Sequence, residues 1–148
     1  MSIERRREPA AAVEAALRAY LAAERPAGIV AAFLFGSLAD RTDHAVSDVD
    51  VAVLLDYGAF PDRTSRSRAA VALGTALIAV VHRNAVDVVV LNDAPPELAA
   101  AVVTSGVCLH CADADAERAF TRDALLRYAD VRPFLERTRR LKLQALAR

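Results

Sequence analysis

Apolar and polar positions along this chain change period several times, and each change marks an element. Val13, Ala16, Leu17, Tyr20 and Leu21 recur at helical spacing after Pro9, a residue suited to a first helical turn, and Pro26 and Gly28 end the pattern. A first helix is predicted there. Residues 28–35, "GIVAAFLF", form a continuous apolar run that ends at Gly36, and residues 48–55, "DVDVAVLL", form a Val-rich run that stops at Asp56-Tyr57-Gly58. Both read as buried strands. Pro61 and the charged stretch "DRTSRSR" lead into an Ala-, Leu- and Val-rich segment that lasts to about His82, too long for a strand and therefore a helix.

Residues 85–91, "AVDVVVL", read as a third strand. Pro95 and Pro96 open a short helix, "ELAAAVVTS", that Gly106 closes, and "VCLHC" reads as a short final strand. From about Asp115 to about 146, Phe120, Ala124, Tyr128, Val131 and Leu135 fall on one stripe of an amphipathic helix that Pro133 is expected to kink or restart. The alternation predicts an α/β (α+β) fold: one small mixed sheet of about four strands packed by helices, in a single domain spanning residues 1–148.

Composition narrows the function. The 148 residues are 55% apolar, enough to bury roughly two-thirds of the unfolded surface in one core. Nineteen bases balance nineteen acids, so the chain lacks the global field of a non-specific nucleic-acid binder, and no strong nucleic-acid binding is expected. No run approaches a membrane span, and "MSIERRREPA" is charged without an apolar stretch behind it, so the expected location is the cytoplasm. The only lysine is Lys142, which excludes a Walker-type phosphate loop, a kinase strand lysine and a ligase-type lysine nucleophile.

Cys108, His110 and Cys111 in "VCLHC" are too few for a structural zinc site, and on a regular strand the two cysteines face opposite ways. They are expected to fill the core and its edge. Arg63, Arg66 and Arg68, and Arg137, Arg139, Arg140 and Lys142, read as solvated surfaces before they read as phosphate, toxin or RNA contacts. Tyr57 can stack on a base or pack in the core, Tyr128 falls on the apolar stripe, and His44 and His82 have no evident partners.

The acids in the strands are the unusual feature. Side chains alternate along a strand, so Asp48 and Asp50 share one face while Val49, Val51 and Val53 take the other, with about 6.6 Å between the two acidic Cα atoms. That spacing lets both carboxylates grip divalent ions spaced about 3.5–4 Å apart. Asp87 occupies a similar place at the start of the third strand, so three strand acids can converge. Magnesium suits such a set, because it prefers oxygen donors and completes its shell with substrate phosphates. Gly36-Ser37 suits the phosphates, through close backbone approach, helix-terminal amides and a hydroxyl donor.

Gly36-Ser37, ten intervening residues, Asp48-x-Asp50 and the later strand Asp87 resemble the active-site signature of the DNA polymerase β-type nucleotidyltransferases. The surrounding "FLFGSLA…SDVDVAVLL" and "VDVVVLNDAPPELAAAVVTSGVCLH" are most similar to the minimal nucleotidyltransferases, or MNT/MntA antitoxins. The resemblance implies a polymerase β-like fold and transfer of AMP from ATP to a tyrosine of a HEPN-domain ribonuclease toxin. It gives Asp48 and Asp50 to two magnesium ions, Asp87 to the ion that activates the attacking hydroxyl, and Gly36 and Ser37 to the leaving pyrophosphate. One departure stands out: many relatives carry Arg-Gly where this chain has Asp40-Arg41, which removes backbone freedom and adds an acid near the triphosphate. The alternatives are a non-catalytic binding antitoxin and a small-molecule nucleotidyltransferase resembling the aminoglycoside-modifying enzymes, for which 148 residues leave little room.

Overall fold

A computed structural model of the chain describes residues 10–36, 49–82 and 85–147. In chain order the elements are α1 (Ala10–Glu24), β1 (Ile29–Phe35), β2 (Val49–Leu55), α2 (Arg63–Val81), β3 (Val86–Val90), a 3-10 turn (Leu91–Asp93), α3 (Pro96–Ser105), β4 (Val107–Cys111) and α4 (Ala114–Leu146). Every predicted element is present within a residue or two of its expected bounds.

The four strands form one mixed sheet in the order β3-β2-β1-β4, antiparallel between β2 and β1 and between β1 and β4, parallel between β2 and β3. Strand alternation sorts its two faces. Val49, Val51 and Val53 of β2 are fully buried and join Val13, Leu17 and Leu21 of α1 and Leu73, Leu77 and Val81 of α2 in the larger core. Ala52 and Leu54, of opposite parity, join Ala31 and Phe33 of β1, Val102 of α3 and Phe120 of α4 on the other face. Helices α1 and α2 therefore cover one face of the sheet, and α3 and α4 the other.

Local chemistry sets the ends of α2. Asp62 is its N-cap and accepts a 2.7 Å hydrogen bond from the Ser65 amide, with Ser65 Oγ answering the Asp62 amide in a capping box. His82, which had no assigned role in the sequence, ends the helix in the left-handed region at φ 52°, its N–H donating to the Ile78 carbonyl. Along α4, Phe120, Tyr128, Val131 and Leu135 are half-buried and Ala124 is buried, which matches the predicted stripe. The helix continues through Pro133, so the restart expected there does not occur.

The cysteines depart from expectation. Both are exposed, and the β1–β4 register slips so that Cys111 pairs with Ala31 and Cys108 with Phe33. Ala31 and Phe33 point to one face, so the two thiols share that face instead of opposing each other. The extra residue of a bulge reverses the parity that a regular strand would impose.

Candidate functional site

The acids lie at one end of the sheet, where β1 finishes and β2 and β3 begin. In the antiparallel register Phe35 faces Asp50, and Gly36 follows at once in a turn with φ +77°. A Cβ on Gly36 would collide with Asp50 Oδ2, so the chain passes against the carboxylate at a position that only glycine fills without strain. In the parallel register Asp50 pairs with Asp87, bringing the two acids onto adjacent strands at a Cα separation of about 4.8 Å. Both share the parity of Ala52 and so point to the face that α3 and α4 cover farther along the sheet. Asp50 is half-buried and Asp87 exposed.

Gly36, Asp50 and Asp87 are thus brought together. Ser37, Asp48, Asp40, Arg41 and His44 lie outside the described residues. Two in-register carboxylates supply hard oxygen donors of the kind magnesium prefers, and like charges this close repel unless a cation lies between them. The donor chemistry fits the ion. Among the described residues no three His, Cys, Asp or Glu side chains cluster as a metal site.

Asp87 also lies in a groove of 590 Å³ between α2 and the beginning of α3, along the outer side of β3. A separate cavity of 350 Å³ opens on the same face at the far end of β2, lined by Leu54, Leu91, Ala99, Phe120 and Arg127. It stands four residues along β2 from Asp50, about 13 Å at the strand rise, and belongs to a different part of the face.

Three side chains that the sequence did not single out, or placed differently, hold the far end of β3. The Asn92 amide donates to the Leu55 carbonyl at 2.8 Å and accepts from the Leu55 N–H at 2.9 Å, extending the β2–β3 pairing by one side chain. Arg66, expected on a solvated surface, is only 8% exposed. Its Nε and Nη2 each donate at 2.9 Å to Asp93, Nη1 donates to the Phe60 carbonyl, and the guanidinium lies 5.3 Å from the Tyr57 ring centroid. Tyr57 is itself exposed and stacks on this cation. The signal was the "LND" that follows the Val run, a cluster of hydrogen-bonding side chains where a strand must end. Arg63 and Arg68 are exposed as expected, as are Arg137, Arg140 and Lys142, and Arg139 bridges to Glu97 of α3 at 3.3 Å.

The fold and the acid end define a class. Residues 17–115 match the family model described as polymerase beta, nucleotidyltransferase, and the chain belongs to that family. Its fold is shared with solved toxin–antitoxin structures. One described as a toxin–antitoxin with AMP-PNP is 24% identical, with a TM-score of 0.62 over 91% of this chain and 98% of that one. The MntA–HepT toxin–antitoxin is 22% identical, with a TM-score of 0.58 over 92% and 97%. A complex of tri-AMPylated Shewanella oneidensis HEPN toxin with MNT antitoxin is 20% identical, with a TM-score of 0.58 over 91% and 99%. No curated protein sequence matches this one. No helix among the described residues is long and apolar enough to cross a membrane.

Proposed function

We propose that residues 1–148 work as one nucleotidyltransferase unit that moves AMP from ATP to a hydroxyl, a tyrosine of a HEPN-domain ribonuclease, and so acts as the antitoxin of a toxin–antitoxin pair. The observation that carries this reading is the pairing of Asp50 with Asp87 on adjacent strands beside Gly36, within a chain of the nucleotidyltransferase family. The similar structures holding AMP-PNP and an AMPylated HEPN toxin support adenine as the base and a protein as the acceptor.

Asp48, Asp50 and Asp87 would hold two magnesium ions, which when bound neutralise phosphate charge and acidify the acceptor hydroxyl. Gly36, lacking a side chain, lets the backbone approach the β- and γ-phosphates, and Ser37 offers them a hydroxyl donor. The acceptor oxygen forms a bond to the α-phosphorus as the bond from that phosphorus to the β-phosphate bridging oxygen breaks. Pyrophosphate leaves with the bond's electron pair, and the hydroxyl proton passes to solvent. No covalent enzyme intermediate is required.

The test is intact mass of both proteins after incubation of the purified chain with labelled ATP, magnesium and its HEPN-domain partner. The partner is expected to gain AMP mass with the natural chain and none with Asp48→Ala/Asp50→Ala. A stable complex without mass gain would instead favour occlusion by binding, which the Asp40-Arg41 departure makes the second reading.

A further inference from the structure

β3 forms one outer edge of the sheet, and Asp87 is its one charged side chain. β3 ends the sheet, and among the described residues no further strand pairs with it. Its sequence, "VDVVV", has no Lys, Pro or Gly, and its register with β2 runs without a bulge. Exposed Val-rich edges are pairing sites that proteins ordinarily blunt with charge, proline or irregularity. The Val49 N–H donates to the Ala85 carbonyl, which fixes the alternation of the parallel ladder. Asp87 and Val89 turn their backbone groups toward β2, and Val86, Val88 and Val90 turn theirs outward.

The groove along this edge is walled on one side by α2, where Val71 is 71% exposed and Ile78 38% exposed. On the other side it is bounded by Pro95 and Leu98 at the start of α3, and Asp87, in register with Asp50, is among its lining residues. Such a trough offers main-chain hydrogen bonds along its floor and apolar contact along its wall.

We propose that this edge docks an extended segment of the acceptor protein, which adds as a fifth strand beside β3 and carries the hydroxyl to the acids. The inference rests on the adenylyl-transfer reading and deepens it. A strand paired here lies about 4.8 Å from β3, so a side chain level with Asp87 on the α3/α4 face stands next to the acid pair. Alternate side chains of the same segment point to the other face and rest on Val71 and Ile78. The occupant is therefore a segment with apolar residues at alternate positions and a hydroxyl residue, tyrosine included, between them. A second copy of the chain suits the edge less well: antiparallel pairing of two β3 strands brings a second Asp87 to the same face, acid toward acid, and supplies no hydroxyl.

Two substitutions test the edge without touching the acids. Val90→Pro removes an outward N–H at a backbone φ of −87°, a position and conformation that an edge strand tolerates. Val71→Glu places a charge on the exposed groove wall. Affinity for the purified HEPN-domain partner is expected to fall about tenfold in each, the loss of one interfacial hydrogen bond or apolar contact. Magnesium-dependent ATP binding is expected to stay as in the natural chain. Amide hydrogen exchange at Val86, Val88 and Val90 is expected to slow on complex formation. Edge protection without AMP transfer would keep the docking site and defeat the adenylyltransferase reading. Full transfer by both variants with unprotected edge amides would do the reverse. A partner-independent dimer dissolved by Val90→Pro, or failure to form any complex, would overturn the docking proposal.

Discussion

A side chain at Gly36 would meet two obstacles together: a left-handed φ of +77°, and the carboxylate of Asp50 in the space where its Cβ must go. Gly36→Ala is expected to cost about 1–3 kcal/mol of stability, by the usual penalty for forcing a non-glycine residue into this region. It should also push Asp50 out of line with Asp87, so AMP transfer should fall more steeply than stability; urea unfolding beside a transfer assay separates the two. Asp93 offers a prediction in pH. Hydrogen bonds from Arg66 hold its carboxyl below the ordinary value of 3.8, against the opposing effect of burial. A carboxyl lowered in the folded state stabilises the fold fully above its unfolded value, and that contribution disappears as pH falls through the lowered folded value. Acid unfolding of the natural chain should therefore steepen below 3.8, and Asp93→Asn should remove that part of the pH dependence while lowering stability at neutral pH. Of these residues the sequence marked Gly36, because glycine beside an apolar run is a local signal. It did not mark the Arg66–Asp93 pair, because the two are 27 residues apart and only packing brings them into contact.

Among the elements, α1 and β3 are held in different ways. α1 is fastened by an apolar stripe whose Leu17 is wholly buried, so Leu17→Ala is expected to destabilise the fold by about 2–5 kcal/mol in chemical denaturation. Among the described residues β3 has β2 on one side only, and the Asn92 side chain continues that pairing past the end of the strand. Asn92→Ala leaves the Leu55 N–H and carbonyl without these partners and is expected to cost about 1–3 kcal/mol, with faster amide exchange along β3 as the mark of a loosened strand. Period and punctuation made the elements legible, since helices, strands and their caps are set within a few residues. The bulge in β4 was not legible, because its extra residue is defined by the partner strand, and the common face of Cys108 and Cys111 followed from it.

For the molecule as a whole, the decisive contrast is between catalysis and occlusion. If the chain neutralises its partner by AMP transfer, Asp48→Ala/Asp50→Ala should still bind the partner but no longer protect cells that express it. Growth of co-expressing cells, read beside the affinity of the purified pair, checks this; protection by the double variant would move the function to the binding surface.

The sequence alone determined the element order, because helices, strands and their ends depend on local period and punctuation, and its motif spacing carried the resemblance to the nucleotidyltransferase family. Only the tertiary structure decided that Asp87 stands in register with Asp50, that Arg66 is buried on Asp93, and that β3 forms one outer edge of the sheet. Those facts depend on which strands become neighbours and how they align. Strand order and register are settled by competition among distant apolar surfaces for the same core, and a local pattern does not contain that outcome.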